Sequence, residues 1–244
     1  MTLQVVLLAG GLGTRMKPLT ETMPKALIPV LGRPFADWQL EHLAAQGVNR
    51  VACCIGYRGE MLRDHVGDGS RYGLDVVWID EGSRLRGTGG ALRLALDQGA
   101  LDAAFLVLFG DSYLPVGVSA VEDAWRRSGS QALMTVMRNE GRWDTSNAIY
   151  SKGRVVLYDK RRPEERRSEM HWIDYGLSVL TADVVGRHIA VGAVADLADV
   201  MRDLSMAGEL AGLEVDQRFY EVGSPEGVRD LEEYLAKEKP SGRS

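Results

Sequence analysis

The chain has 244 residues, of which 45% are hydrophobic and 26% charged, and its formal net charge is -5. This composition is ordinary for a globular protein with one sizeable core, and the acidic balance argues against nucleic acid or an anionic membrane as the main partner, because both require a basic surface. The N-terminal apolar segment, residues 3–9, is too short for a signal peptide core or a membrane span, so we expect a cytoplasmic protein.

Strands and helices alternate along the first half of the sequence. Continuous apolar runs predict buried strands at residues 3–9, 50–56, 74–80, 105–111 and 132–138. Apolar residues at helical spacing predict helices at residues 35–47, 58–69, 87–99 and 121–129. Gly47 is placed to end the first helix, and Thr88 to cap the third. This alternation is typical of βαβ units, so we expect an α/β fold with a Rossmann-like, mostly parallel central sheet flanked by helices.

The second half of the sequence has a different character. Strand-like segments are separated by a charged stretch at residues 160–169, which we interpret as a flexible loop. Helices are predicted at residues 195–208 and 224–239, the last with Ser224 as its cap and Pro225 at its first position. We expect a single domain over residues 1–238, with a second-half lobe that closes over the sheet edge, and a flexible tail at residues 239–244.

The two cysteines, Cys53 and Cys54, are neighbours within an apolar strand. Adjacent strand residues point to opposite faces of a sheet, so a disulfide between them is geometrically poor. We predict two buried thiols in a reducing compartment. The spacing of the cysteines and the four histidines does not suggest a zinc site.

A glycine-rich loop follows the first strand, within the stretch LLAGGLGTRMKPLTETMPKALIPV at residues 7–30. Glycines allow backbone N–H groups to approach phosphate oxygens closely, and Arg15 and Lys25 can neutralise a triphosphate. The loop is not a Walker A motif, because no Gly-Lys-Ser/Thr ends it. It is not G-x-G-x-x-G either, because Met16 stands where the third glycine should be.

The whole stretch resembles the signature of the sugar-1-phosphate nucleotidyltransferases, G-G-x-G-T-R-x-x-P-L-T-x-x-x-P-K-x-x-x-P-V, which residues 10–30 match throughout. The resemblance implies a Rossmann-like fold, Mg²⁺ as the cofactor, and transfer of a nucleotidyl group from an NTP to a sugar 1-phosphate with release of pyrophosphate. The segments WDTSN and WIDYGL most resemble short bacterial heptose- or hexose-1-phosphate guanylyltransferases, or generic sugar nucleotidyltransferases.

The resemblance also implies roles for individual residues. Arg15, Lys25 and Asp111 would be catalytic, and Asp111 and Glu221 would bind the metal, with Glu221 standing where many members have aspartate. The acceptor would contact Asn147, Lys160, Asp174 and Gly176. The nucleotide would contact Leu8, Gly10, Gly11, Gly13, Thr14, Glu81, Gly87 and Thr88.

The chemistry of these residue types agrees with this reaction. A sugar phosphate is already an anion, so its attack requires alignment and charge neutralisation more than a strong general base. Mg²⁺ prefers oxygen ligands, and one or two carboxylates together with phosphate oxygens suffice to hold it.

Two other functions remain open from the sequence. A catalytically silent regulatory subunit would not need to keep Arg15, Lys25 and Asp111 together, whereas all three are present. Transfer to phosphocholine would require an aromatic or acidic cage, for which Trp143, Trp172 and Tyr175 are candidates.

The sequence indicates the type of reaction more specifically than it indicates the nucleotide base or the acceptor sugar. The Glu81 carboxylate can accept two hydrogen bonds from guanine, which favours GTP, but UTP, dTTP and CTP remain open. The sugar is not readable from the sequence, and a homo-oligomer is compatible with it.

Overall fold

The computed structural model describes residues 2–11, 13, 16, 19–139 and 141–238. Its strands are β1 (Gln4–Leu8), β2 (Pro29–Val30), β3 (Arg33–Pro34), β4 (Arg50–Ile55), β5 (Asp75–Asp80), β6 (Ala104–Phe109), β7 (Ser112–Tyr113), β8 (Ala132–Arg138), β9 (Ala148–Ser151), β10 (Arg154–Tyr158), β11 (Trp172–Thr181), β12 (Leu210–Glu214) and β13 (Tyr220–Glu221). Its α-helices are α1 (Phe35–Ala45), α2 (Gly59–Val66), α3 (Gly87–Asp97), α4 (Val118–Ser128), α5 (Ala182–His188), α6 (Leu197–Met206) and α7 (Pro225–Glu238).

Nine strands form the central sheet, in the order β5-β4-β1-β6-β11-β8-β12-β10-β9. Strands β5, β4, β1 and β6 are parallel neighbours, and β8 and β12 are also parallel. The predicted α/β class, with a parallel sheet core flanked by helices, is confirmed. Strand β11 runs antiparallel between β6 and β8, a feature that the sequence pattern does not reveal.

The chain reverses its direction of travel across the sheet at β1. From β1 it proceeds through α1 to β4 and through α2 to β5, and α3 then carries it back to β6 on the other side of β1. The carboxyl ends of β1 and β6 therefore flank a topological switch point, where ligands of open α/β sheets bind.

Helices cover both faces of the middle of this sheet, so an inner strand such as β1 is buried on both sides. Along β1, Val5 and Leu7 join one hydrophobic cluster, whereas Val6 and Leu8 join the other. Cys53 and Cys54 divide in the same way, and both are free and buried, as predicted. A third cluster holds α7 against β2 and β7.

The second half folds back on itself. Strand β9 pairs with β10 and also, through Ala148, with Trp172 of β11. Strands β11, β8, β12, β10 and β9 thus close into a ring. The stretch 160–169, which we expected to be a flexible loop throughout, includes a 3₁₀ helix at Glu164–Glu169, so that expectation is wrong for this part.

The predicted helix ends are confirmed in two cases and wrong in one. Gly47 lies just beyond the end of α1 with a φ of 81°, and its N–H bonds to the carbonyl oxygen of Ala44. The Ser224 hydroxyl accepts a hydrogen bond from Gly227 N at 3.0 Å and so caps α7. Thr88 does not cap α3, because the helix already begins at Gly87.

None of the helices in the described part of the chain is both long and apolar enough to cross a membrane. The single-domain boundary at residue 238 remains a prediction, and the predicted tail at residues 239–244 lies outside the described residues.

Candidate active site

A cavity of about 230 Å³ opens at the switch point between β1 and β6. Its apolar wall includes Cys54, Leu85, Ala91 and Phe109. Of the residues assigned to the site from sequence, Leu8, Gly10, Gly11, Lys25, Glu81, Gly87, Thr88 and Asp111 line it. Residues far apart in the sequence are therefore gathered at one place, while Thr14 and Arg15 lie outside the described residues.

Close contact between the ends of β1 and β6 brings Asp111 to the cavity. Gly110 N donates to Leu8 O at 2.9 Å, and a Cβ on Gly110 would lie 2.7 Å from the Cβ of Ala9. Only glycine fits this gap without moving a strand. Asp111 follows directly and lies two residues beyond the end of β6.

Two hydrogen bonds to the carbonyl oxygen of Gly13 stabilise the described part of the glycine-rich loop. The Thr20 hydroxyl donates to Gly13 O at 2.8 Å, and Met16 N donates to the same oxygen at 3.0 Å. Gly13 has a φ of 63°, and a Cβ there would lie 2.9 Å from Cγ of Lys25. The stem of Lys25 therefore packs on the loop that the signature predicts to hold phosphate.

Lys25 and Asp111 are in direct contact. The Lys25 ammonium donates to Asp111 Oδ2 at 2.8 Å, and the side chains remain 17% and 24% exposed. A charge-assisted pair with this much exposure stays accessible to a ligand at the cavity mouth. Two of the three predicted catalytic residues thus share one point of the cavity.

Glu221 lies beside Asp111 through a short ladder. Strands β7 and β13 pair antiparallel with Glu221 opposite Ser112, and Val222 N donates to Asp111 O at 2.9 Å. The backbones of Asp111 and Glu221 are thus adjacent, but Asp111 lines the switch-point cavity, whereas Glu221 lines a second cavity with Trp143 and Arg218. Carboxylates are the hard oxygen ligands that Mg²⁺ prefers, so both residue types suit the implied metal. The described residues contain no cluster of three or more His, Cys, Asp or Glu side chains that could hold a metal ion.

Glu81 is buried, and its carboxylate accepts a hydrogen bond from the backbone of the loop that follows β5. Its Oε2 accepts a hydrogen bond from Arg86 N at 2.7 Å, and its Oε1 lies 2.5 Å from where a Cβ on Gly10 would be. Burial raises the pKa of the Glu81 carboxyl, against the opposing effect of the Arg86 N–H. Burial, with the nearby charge of Glu81, raises the pKa of Cys54 to about 12, so this thiol is protonated at neutral pH.

The first turn of α3 is held by a segment of the second half. Gly89 N and Gly90 N donate to Ala195 O at 2.9 and 3.1 Å. A Cβ on Gly87 would lie 2.5 Å from the same carbonyl oxygen. The carbonyl oxygen of Ala195 therefore accepts the N–H groups at the start of α3, a role that we had predicted for the side chain of Thr88. No local sequence signal indicates Ala195, because it lies about a hundred residues away in the chain.

Three of the four predicted acceptor residues form one hydrogen-bonded group. Asn147 Oδ1 accepts from Asp174 N at 2.9 Å, and Asp174 Oδ1 accepts from Gly176 N at 2.9 Å. The Tyr158 hydroxyl donates to Asp174 Oδ2 at 3.3 Å. Gly176 has a φ of 100° within the irregular part of β11, where glycine is favoured.

Lys160 is exposed and lies within electrostatic reach of two carboxylates. Burial raises the pKa of Asp174, and the charge of Lys160 opposes that rise. Burial alone would also raise the pKa of Asp196, but hydrogen bonds from Ala198 and Thr88, together with the charge of Lys160, lower it. Asp196 was not among the residues assigned to the site from sequence.

The three aromatic residues considered for a cage do not form one. Trp143 is covered by the guanidinium of Arg218 at 3.9 Å from the ring centroid. Trp172 donates from Nε1 to Glu214, and Tyr175 is 1% exposed. One face of Trp143 is thus covered by Arg218 although the side chain is 47% exposed, and Tyr175 is not accessible to a ligand.

Comparison with known proteins agrees with this geometry. The family model described as nucleotidyl transferase matches residues 4–146. A low-salt glycan biosynthesis nucleotidyltransferase of Haloferax volcanii is 37% identical over 114 residues, which are 46% of this chain and 31% of that protein. A D-glycero-alpha-D-manno-heptose 1-phosphate guanylyltransferase of Campylobacter jejuni is 27% identical over 182 residues, 75% of this chain and 77% of that protein.

A solved structure shows the same fold. The inositol-1-phosphate CTP transferase of T. maritima aligns with a TM-score of 0.78 at 18% identity, covering 100% of this chain and 98% of that one. The match to the Haloferax protein spans less than a third of that relative's length. The family model covers more than half of this chain, which therefore belongs to the nucleotidyl transferase family.

Proposed function

We propose that the protein transfers a nucleotidyl group from an NTP to a sugar 1-phosphate, giving a nucleoside diphosphate sugar and pyrophosphate. The observation that carries this proposal is the Lys25–Asp111 contact at the mouth of the switch-point cavity. A cation suited to phosphate and a carboxylate suited to Mg²⁺ would then stand together where ligands of this sheet topology bind.

The proposed reaction balances without an oxidant or a reductant. An oxygen of the sugar phosphate attacks the α-phosphorus, and a new P–O bond forms there. The bond from the α-phosphorus to the oxygen bridging the α- and β-phosphates breaks, and its electron pair leaves with pyrophosphate. Both reacting groups are anions, so the protein contributes mainly alignment and charge neutralisation.

Each group of residues has a place in this scheme. The backbone at Gly10, Gly11 and Gly13 would hold the triphosphate, with Lys25 donating to its oxygens. Arg15 of the same signature would add a second cation. Asp111 and Glu221 would hold Mg²⁺, which supplies positive charge to the phosphate oxygens when bound.

The acceptor would bind beside this centre, at the second-half group. Lys160 would pair with the phosphate of the sugar 1-phosphate. Asn147, Asp174 and Gly176 would face the sugar, with Asp174 fixed by its bonds to neighbouring residues. Heptose and hexose 1-phosphates are the proposed acceptor class.

GTP is the nucleotide that we favour. Glu81 lines the cavity with a carboxylate whose oxygens accept hydrogen bonds only, and guanine offers N1–H and an amino group to such an acceptor. Two supporting relatives are the heptose 1-phosphate guanylyltransferase and a mannose-1-phosphate guanylyltransferase of Mycobacterium tuberculosis, the latter 32% identical over 133 residues. The two free thiols fit the reducing cytoplasm, which is the compartment that we propose.

The test is a pyrophosphate-release screen of GTP, UTP, dTTP and CTP against a panel of hexose and heptose 1-phosphates in the presence of Mg²⁺. We expect release that depends on both substrates and is fastest with GTP. Release with a different NTP would correct the base assignment alone. Release with phosphocholine, and with none of the sugar 1-phosphates, would replace the proposed acceptor.

A further inference from the structure

A further cavity, here called the basic cavity, opens between the connection from β8 to β9 and the charged stretch before β11. Its volume is about 680 Å³, and its charged and titratable lining residues are Asp144, Arg162, Arg167 and His171. The Asp144 carboxylate already accepts a hydrogen bond from Thr145 N at 2.6 Å. The lining therefore carries more positive than negative charge, although the chain as a whole has a formal net charge of -5.

Backbone hydrogen bonds connect the basic cavity to residues proposed for the acceptor. Asp159 N donates to Asn147 O at 3.0 Å, and Arg162 N donates to Asp159 O at 3.0 Å. Lys160 lies within the turn that the second of these bonds closes. Ser146, the neighbour of Asn147, itself lines the cavity. A sugar 1-phosphate held by Asn147 and Lys160 would therefore lie next to the basic cavity.

The arginines of the charged stretch are of two kinds. Arg161 and Arg166 each pair with a nearby carboxylate, at 3.0 and 2.6 Å. Arg162 and Arg167 line the basic cavity, and their side chains form no hydrogen bond or ion pair with any residue that the structure describes. A guanidinium carries five N–H donors in a planar fork that matches the oxygens of a carboxylate or a phosphate. The two arginines of the cavity therefore have donors available for an anion.

Arg162 also has an unusual backbone conformation. Its φ is 49°, in the left-handed region that favours glycine, and the residue is half-buried. Glycine would form this turn more easily, so the conformation gives no reason for an arginine here. Binding of an anion by the guanidinium does give one.

We propose that the basic cavity binds a second anionic group of the acceptor, a carboxylate or a further phosphate, through the guanidinium groups of Arg162 and Arg167. The preferred acceptors are then acidic sugar 1-phosphates rather than neutral ones. This inference rests on the proposed function, because it takes Asn147 and Lys160 as ligands of the sugar 1-phosphate.

Matched pairs of acceptors test this inference. Glucose, galactose and mannose 1-phosphates are compared with the corresponding hexuronate 1-phosphates, in which a carboxylate replaces the terminal hydroxymethyl group. Glucose 1,6-bisphosphate supplies a phosphate at the same place. Calorimetry measures the Kd of each compound, with and without Mg²⁺ and a GTP analogue whose α–β bridge is a methylene group. Steady-state assays with GTP measure KM for the same compounds.

Three variants accompany the wild-type protein. The double variant Arg162→Gln with Arg167→Gln removes both cations of the cavity and keeps polar side chains. Arg162→Gly removes one cation at a backbone position that suits glycine, so we expect little change in its melting temperature. Arg166→Gln is the matched control, because Arg166 lies on the same 3₁₀ helix as Arg167, pairs with Glu169 and is 41% exposed.

The expected result is a preference for acidic acceptors that depends on the two arginines. Wild type and Arg166→Gln bind at least one acidic acceptor about 5-fold or more tightly than its neutral counterpart, and KM follows the same order. In the double variant the two Kd values agree within about 2-fold, because only the acidic acceptor binds less tightly. Arg162→Gly reduces the preference without unfolding. A preference for glucose 1,6-bisphosphate over every hexuronate, lost in the double variant, supports phosphate as the second group.

The inference is overturned if wild type binds no acidic acceptor more tightly than its neutral counterpart, or if the double variant keeps the wild-type preference. It is also overturned if Arg166→Gln loses the preference as fully as the double variant, since the loss of any nearby positive charge would then suffice. Transfer to neutral sugar 1-phosphates in either case would leave the proposed function intact. A wild-type protein that binds acidic acceptors through these arginines but transfers no nucleotidyl group would instead remove the proposed function.

Discussion

At the scale of single residues, the contact between Lys25 and Asp111 is the observation on which the proposed chemistry rests. The carboxylate holds the lysine at 2.8 Å now and would face phosphate and metal when substrates bind. Neither group is deeply buried, so both can exchange partners without leaving a charge unpaired in the core.

Replacing Asp111 by asparagine keeps the shape of the side chain and removes its charge. We expect kcat to fall by about 100-fold or more, because the site would hold Mg²⁺ less well and lose the positive charge that it supplies to the phosphates, while the melting temperature stays close to wild type. Steady-state kinetics and thermal melting measure the two effects. Asp123→Asn is the control, since Asp123 is 61% exposed on α4 and loses the same charge. Near-wild-type turnover of Asp111→Asn would remove this residue from the site.

Glu221→Gln tests the metal role against a simple helix-flanking charge. A metal ligand predicts a loss of turnover of about 10- to 100-fold and a higher Mg²⁺ requirement, with little change in melting temperature. Glu226→Gln is the matched control, because Glu226 lies in the first turn of α7 and is 72% exposed. A titration with Mg²⁺ that is identical for wild type and both variants would contradict the metal assignment.

The signature of residues 10–30 predicted that Lys25 would lie at the ligand edge, and the abrupt polar end of an apolar strand predicted the same for Asp111; both line the cavity. Asp196 was not predictable, because its partner Thr88 lies 108 positions earlier in the chain and the two meet only through tertiary packing. Thr88 was misassigned as a helix cap for the same reason: the carbonyl oxygen that receives the N–H groups of α3 comes from Ala195.

At the scale of elements, the close packing of α3 against residues 193–197 leads to a prediction about stability. A Cβ on Gly90 would lie 2.6 Å from Ala193 O and 2.7 Å from Cβ of Arg86. Gly90→Ala should therefore lower the free energy of unfolding by about 1–3 kcal/mol, despite the higher helix propensity of alanine. Denaturant unfolding measures this change.

Gly186→Ala in α5 is the matched control for that prediction. Its new Cβ would have Leu96 Cδ2 at 3.8 Å, an ordinary contact. The same substitution should then stabilise the protein by up to about 1 kcal/mol. If both variants were more stable than wild type, the close packing of α3 against residues 193–197 would be refuted.

Helix α1 provides a pH prediction through His42. The imidazole Nε2 lies 3.0 Å from Leu114 O, and burial lowers the His42 pKa below its ordinary value of 6.5, against the opposing effect of that carbonyl. The unfolded chain therefore binds a proton more readily than the folded one. The contribution of neutral His42 to the free energy of unfolding is fully present above pH 6.5, and it is lost as the pH falls through the folded-state pKa of His42.

Melting curves recorded between pH 7 and pH 5 test whether protonation of His42 destabilises the fold. Wild type should lose more melting temperature over that range than His42→Gln, which has no imidazole to protonate. His188→Gln, at an exposed position in α5, should keep the wild-type loss. An equal loss in wild type and His42→Gln would show that protonation of His42 does not destabilise the fold.

Long apolar strands were the most predictable elements, and the run predicted at residues 132–138 coincides with β8. The two-residue strands β7 and β13 have too few residues to show any periodicity, although they place Glu221 beside Asp111. Helix α5 and strand β12 were also missed, because each is too short to show a clear hydrophobic period.

At the scale of the whole molecule, the parallel half of the sheet follows from the alternation of strands and helices and the handedness of their crossovers. The closed ring of the second half does not follow from the sequence, since it depends on the pairing of Ala148 with Trp172 and on the antiparallel insertion of β11. That ring brings Asn147 into hydrogen-bond contact with the backbone of Asp174. The residues around the switch-point cavity were therefore easier to bring together from the sequence than Asn147, Asp174 and Gly176.

The central claim is that this cavity joins a nucleotidyl group to a sugar phosphate. The most direct measurement is product analysis by mass spectrometry together with a pyrophosphate assay, using wild type and Asp111→Asn with Mg²⁺, GTP and a panel of sugar 1-phosphates. The account predicts one pyrophosphate for each nucleoside diphosphate sugar formed by wild type, and almost none of either from the variant. Release of inorganic phosphate with GDP and no nucleotide sugar, or equal product from the two proteins, would contradict it.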